Sequence, residues 1–198
     1  MLKHMRALLA ACLCFNLVSA ATPAEDNKEL KQIYEADQKD RETPKIDWNE
    51  VGPRDAARQK RIREMIDQGL LVTGKDYERA AMIYQHGLTQ DDPLMAHILA
   101  VTAIGKGDLD ARWLAAAALD RYLQRVNQPQ VFGTQYSFKK PGDPWSMDPY
   151  NRTLISPALR EANCVPDFER QNEILAAISK DEEPKPAKRK PCPESAKP

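Results

Sequence analysis

Apolar residues recur along this chain every three to four positions far more often than every second position, which predicts helices rather than strands. Leu30, Ile33 and Tyr34 mark one face of a first helix, expected over 25–42. "ETPKIDWNEVGP" ends it, because Pro44 and the Gly52-Pro53 pair are poor mid-helix residues. A second helix is expected from Pro53, a good first residue, to Gly69, a good stop. The third starts near Thr73, whose hydroxyl can cap it, and ends at Gly87. The fourth begins at Asp92-Pro93 and ends at Gly105-Lys106-Gly107; its body "LMAHILAVTAI" is apolar nearly all round, the pattern of a central bundle helix. The fifth, with Asp108 as its cap, runs to about Val126. "VFGTQYSF" alternates weakly and reads as a short strand or an extended arm. A proline-rich loop, a short helix after Ser156-Pro157 and a last helix from about Pro166 to Lys180 complete the pattern. The expected fold is all-α: a single helical bundle or paired-helix array, with a short extended GTQ segment.

Both ends depart from this pattern. Residues 1–20 carry basic Lys3 and Arg6, an apolar run from Ala7 and a small-residue Val18-Ser19-Ala20 site, as a secretory signal peptide does. The run is 14 residues, Ala7 to Ala20, short of the roughly 20 that a bilayer span needs. Cleavage near Ala20 gives a periplasmic or secreted protein without a transmembrane segment; a lipoprotein cut at Cys12, in "LAAC", ranks second. Residues 181–198, "DEEPKPAKRKPCPESAKP", hold five prolines and no apolar period, so a disordered tail is expected. Residues 25–180 then form one helical domain.

Removing Lys3 and Arg6 takes the basic residues from 29 to 27 against 29 acidic ones, a net charge of −2 that excludes nucleic acid as an evident partner. Cys12 and Cys14 leave with the signal. Cys164 and Cys192 remain, either as two free thiols or as a disulfide tying tail to domain, worth about 3 kcal/mol in the loop-entropy account.

Several apolar stripes end in polar residues. Leu30, Ile33 and Tyr34 continue into Asp37, Gln38 and Arg41; Asp55 and Arg58 precede Ile62, Met65 and Ile66; Trp113, Ala116 and Ala117 lead to Asp120, with Arg121 beside it. Short links make neighbouring helices antiparallel. That order brings Gln85, His86, His97, Asp120, Asp55, Arg58, Gln130, Thr134 and Gln135 to one end of the bundle, with helix one joining if its connection also reverses. Taken singly, each such residue is more often an ordinary surface pair or a hydrogen-bonded core residue.

"DQKDR" (Asp37 to Arg41), "QHG" (Gln85 to Gly87), the "AH" of helix four, "LDRYL" (Leu119 to Leu123) and "QVFGTQY" (Gln130 to Tyr136) resemble, in this order, an uncharacterised bacterial family, a domain of unknown function. The similarity spans roughly Lys28 to Val165. It implies a recurring helical domain and no reaction, so it assigns no catalytic role.

His86 and His97 with Asp120, Asp37 or Asp55 would make a two-histidine, one-carboxylate metal set, but no H-E-x-x-H pair supports it, and no metal or cofactor is expected. Acid–base hydrolysis would use His86, His97 and Asp120 as catalytic candidates, above all a His97–Asp120 pair, with Gln85 or Gln135 orienting the substrate. There is no G-x-S-x-G elbow, and "GKGD" is a helix stop followed by a cap rather than a phosphate loop. The favoured expectation is a domain that binds a small molecule, a peptide or an envelope protein in a polar-rimmed cleft. Its ligand-binding candidates are Asp37, Gln38, Arg41, Asp55, Arg58, Gln85, Arg121, Gln130, Thr134 and Gln135. Trp48, Trp145 and Tyr150 either line that cleft or cover the bundle end.

Overall fold

A computed structural model describes residues 24–43 and 45–180. Seven helices follow one another: α1 (Lys28–Lys39), α2 (Trp48–Asp67), α3 (Gly74–Gln85), α4 (Asp91–Gly105), α5 (Ala111–Arg125), α6 (Pro157–Ala162) and α7 (Phe168–Ser179). No strand occurs among the described residues, and the all-α expectation holds. The expected signal peptide and tail lie outside the described residues. No described helix is long and apolar enough to cross a membrane.

Local chemistry accounts for most helix ends. Asn27 accepts the Leu30 N–H, and Thr73 and Asp76 form a reciprocal capping box at α3. Ser156 caps α6 ahead of Pro157, and Asp167 caps α7. Three expectations need correction. Helix α2 starts five residues before Pro53, because the Asp47 carboxylate caps it by accepting from Asn49 N. Gly52 and Pro53 therefore lie inside the helix, in its second turn, where the proline removes a single ladder hydrogen bond. Neither Asp92 nor Asp108 is an N-cap: α4 and α5 follow Gln90 and Asp110, which make no side-chain cap. The Asp92 carboxylate instead accepts from Thr89 N at 2.7 Å.

The central helix is α3, which packs on α1, α2, α4 and α5. Among the described helices α4 touches only α3 and α5, and Ile98 and Val101 on it are half exposed. Its all-round apolarity thus marks an outer helix with an uncovered face, not the centre of a bundle. Helices α1, α3 and α5 make one row, and α2 and α4 flank it, which is the paired-helix arrangement. Ala80, Ala81, Ala96, Ala100, Ala103, Ala111, Ala115 and Ala118 line the buried faces of α3, α4 and α5, allowing close approach around Leu30, Ile62, Met65, Ile83 and Leu114.

The α3 residues that look misplaced in a core, Asp76 and Arg79, are paired there. Asp76 is fully buried and accepts from Asn27 N, Val72 N and Thr73 N, so it ties the chain entering α1 to the α2–α3 turn. Arg79 reaches Asp26 at 2.9 Å.

Candidate functional site

Where α1, α2 and α3 meet, the polar ends of three stripes form a charge network. Asp37 is fully buried. It accepts from Arg41 Nη1 at 2.8 Å, from Gln38 Nε2 at 2.8 Å and from His86 Nδ1 at 2.9 Å, with Arg58 Nη1 3.8 Å away. Asp55 accepts from Arg41 Nη2 at 2.6 Å and Arg58 Nη1 at 2.8 Å. Asp40, which sequence reasoning did not single out, closes the set through Arg58 and Arg54. The Arg58 hydrogen bond, reinforced by Arg54, holds its carboxyl below the usual aspartate range. The three carboxylates face three guanidiniums, and each charge has at least two opposite partners, so removing one member weakens the pairing of its neighbours without leaving any of them unpaired.

His86 is the member of this network with chemistry to spare. It lies at the C-terminus of α3, where Gly87 must follow closely: a Cβ on Gly87 would sit 2.2 Å from Gln59 Nε2 and 2.4 Å from Asp92 Cβ. In the neutral ring, the Nδ1–H donates to Asp37, which leaves the Nε2 lone pair without a hydrogen-bond partner among the described residues.

A second network holds the GTQ segment. Asp120, fully buried on α5, accepts from Val131 N at 2.7 Å, Phe132 N at 3.0 Å, Thr134 N at 2.9 Å and Thr134 Oγ1 at 2.8 Å. The carboxylate is thus a template for the turn of the arm. Gly133 sits in that turn at φ +70°, and a Cβ there would meet the Tyr150 ring at 2.5 Å. The Gln130 side chain stands in for a neighbouring strand, donating to the Gln135 and Met147 carbonyls and accepting Gln135 N–H. Gln135 donates to the Ala117 carbonyl and accepts from Arg121 Nε at 2.9 Å. The arm forms two isolated bridges, Gln130 with Tyr150 and Ser137 with Ser146, so it is extended without being a sheet.

The two networks meet at the end of α3. Arg121 donates to the Gln85 carbonyl at 2.6 Å, and Arg125, four residues on, holds the carbonyls of Gly87 and Thr89. Both cations sit against the negative end of the α3 dipole. Burial, with Arg125 alongside, pushes the Arg121 guanidinium down to about 10. Arg160 and Gln171 complete the clamp from α6 and α7: both donate to the Phe132 carbonyl, and Arg160 also reaches Tyr150 Oη at 2.5 Å. Arg160 is buried against carbonyls and the Phe168 ring, a placement its position in a short helix does not signal.

The structure brings Asp37, Gln38, Arg41, Asp55, Arg58 and His86 together in one network and Asp120, Arg121, Gln130, Thr134 and Gln135 in another, with Gln85 between them, in place of the single cluster expected. His97 stands apart from both. That ring is half-buried on α4, and its Nδ1 bonds to the Ala115 carbonyl at 2.9 Å, tying α4 to α5. His86, His97 and Asp120 do not share a site: each has its own separate partner. No group of three His, Cys, Asp or Glu that could hold a metal ion occurs among the described residues.

Open space lies elsewhere. A cleft of about 540 Å³ is lined by Ser137, Phe138, Lys139, Asp143, Pro144, Ser146, Asp148 and Pro149. Phe138 is 45 % exposed and packs edge-on against Trp145, with ring centroids 4.8 Å apart. Asp148 accepts from Arg152 at 2.7 Å, and that hydrogen bond holds its carboxyl below the usual range. Trp48 borders a shallower hollow of about 470 Å³ with residues 45–49. Tyr150 is buried against Phe168 and belongs to the clamp, not to a lid. Of the three aromatics expected to line a cleft, Trp145 alone supports this one. Cys164, in the α6–α7 turn at φ +59°, is disulfide-bonded. Cys192 lies outside the described residues.

No protein-family model matches the chain, and no curated protein or solved structure matches it either.

Proposed function

We propose that the chain is an exported helical binding domain, whose cleft at residues 137–149 takes an extended peptide segment of an envelope partner. The observation that carries this is the contrast between two kinds of polar surface. Asp120 and the Asp37, Asp55, Arg41 and Arg58 set are occupied by the fold itself, whereas the Phe138 cleft keeps an exposed apolar lining. Its volume falls within the range of ordinary ligand sites. Phe138, Pro144 and Pro149 offer apolar ridges suited to a proline-containing segment, while Asp143 offers a carboxylate to a lysine or arginine on the guest, Asp148 being already paired with Arg152. The disulfide at Cys164 and the signal-like residues 1–20 support an oxidising compartment outside the cytoplasm.

Fluorescence polarisation tests this with a labelled proline- and lysine-rich decapeptide, titrated into the mature chain carrying Cys192→Ser, which removes any disulfide between Cys164 and Cys192. The expected result is saturable binding that weakens when the peptide's prolines are changed to alanine or its lysines to glutamate. Absence of saturable binding overturns the proposal.

Acid–base hydrolysis retains one supporting observation, the His86 ring oriented by Asp37 with Nε2 unpartnered. His97 and Asp120 no longer contribute to it, and neither cleft includes a residue of the His86 network.

A further inference from the structure

We propose that the guest peptide joins the protein as an added antiparallel β-strand, hydrogen-bonded through its main chain to Tyr136 and Phe138. The proposal rests on reading the Phe138 cleft as a peptide site, and it names the class of guest that site takes.

The loop that forms the cleft is a small hairpin. Ser137 and Ser146 exchange both main-chain hydrogen bonds, at 2.9 and 2.8 Å. Asp143 N donates to the Lys140 carbonyl at 3.0 Å across Pro141-Gly142, and Gly142 takes φ +93°, as the third residue of a type II turn does. Phe138 and Trp145 are the next pair in register, and their edge-on contact puts them on one face. Ser137, Lys139, Pro144 and Ser146, at the alternate positions, line the cleft.

This register leaves one edge open. In an antiparallel pair, a residue whose N–H and C=O face the partner strand has neighbours whose groups face away. Ser137 faces Ser146, so the main-chain groups of Tyr136 and Phe138 point to the other edge. Neither residue has a main-chain hydrogen bond among the described residues. Such an edge is a template for another extended chain. It is held in place without a guest: Gln124 donates to Ser137 Oγ at 2.9 Å, and Asp120 fixes the turn that precedes it. An edge ordered beforehand lowers the entropy lost on binding.

Pairing imposes a rule on the guest's sequence. The residues opposite Tyr136 and Phe138 must each donate an N–H, so neither is proline. The residue between them, opposite Ser137, makes no hydrogen bond and accepts proline. Its side chain projects to the face of Ser137, where Pro144 also lies. The guest is therefore an extended segment with proline at alternate positions at most, whereas a polyproline guest needs no main-chain N–H.

The test compares two labelled decapeptides of five Lys-Pro repeats, one of them N-methylated on the main chain at every lysine after the first. Side chains and charge are the same, and only the N–H donors differ. Both are titrated by fluorescence polarisation into the mature Cys192→Ser chain. The unmethylated probe is expected to bind saturably and the methylated one roughly tenfold more weakly or worse. Amide hydrogen exchange followed by NMR should show the Tyr136 and Phe138 N–H groups slowed by the unmethylated probe. Equal affinity of the two probes, or binding that leaves both amides exchanging as in the free chain, overturns the added strand and leaves the peptide site standing. Failure of the unmethylated probe to bind overturns the peptide site and the strand with it. Sedimentation of the chain alone should show a monomer; a dimer in which those two amides are already protected assigns the edge to a second copy and overturns the guest strand.

Discussion

Replacing Asp120 with asparagine separates an architectural carboxylate from a catalytic one. Asp120 is wholly buried, and its two oxygens accept from three backbone N–H groups and the Thr134 hydroxyl at 2.7 to 3.0 Å. An asparagine amide must turn its NH2 toward one side of this set. Facing Val131 and Phe132, it forfeits two hydrogen bonds; facing Thr134, it forfeits the backbone one, while the hydroxyl can rotate to accept. Hydrogen bonds to a charged group are each worth about 1.5–3 kcal/mol, and part of the loss is returned because a neutral amide is cheaper to bury. The net expectation is about 3 kcal/mol of destabilisation, which for a domain of this size lowers Tm by roughly 6–12 °C. Urea unfolding should show the midpoint moving down with an unchanged slope. Stability within about 0.5 kcal/mol of the parent, a change typical of a surface substitution, would refute the template role. Loss of a turnover with stability intact would restore Asp120 as a catalytic group.

Other expectations follow from the same contacts. Gly133→Ala meets both a left-handed backbone and the Tyr150 ring at 2.5 Å, and should cost about 2–5 kcal/mol in chemical unfolding. His97→Leu removes a single hydrogen bond to the Ala115 carbonyl; a loss of about 1 kcal/mol is expected, with peptide binding unchanged. The Asp40 carboxyl is held below its ordinary 3.8 by Arg58 and then Arg54. Its stabilising contribution is therefore whole above that ordinary value and disappears as pH falls through the lower folded one. Asp40→Asn should flatten the loss of stability as pH falls below about 4, measured by thermal unfolding; an acid limb as steep as the parent's would count against the network.

Helix positions were legible wherever a cap or stop is local: Thr73 with Asp76, Ser156 before Pro157, Gly69 after α2. The centre of the array was not. All-round apolarity on α4 reads as burial, yet its outer face is left open, while α3 buries Asp76 and Arg79 because Asn27 and Asp26, far away in sequence, partner them. That compensation is non-local, and no periodicity reveals it. The polar stripes did place most of one charge network, since Asp37, Arg41, Asp55 and Arg58 sit at the ends of apolar faces. His97 misled because an imidazole on an apolar helix can donate to a neighbouring helix's carbonyl as readily as join a site. Arg125, four residues past Arg121, lies on the same stripe, and that spacing could have identified it. The Phe138 cleft depends on the conformation of the loop itself, of which the proline and aromatic content gave only a hint.

The central claim is that the Phe138 cleft recognises a partner and the His86 network shapes the fold. Comparing the affinity of the labelled proline- and lysine-rich peptide for the Cys192→Ser chain with and without Phe138→Ala, and with and without His86→Ala, tests it most directly. Binding should weaken at least tenfold with Phe138→Ala, a loss of about 1.4 kcal/mol, and persist with His86→Ala. Binding indifferent to Phe138→Ala, or abolished by His86→Ala in a folded chain, would contradict it.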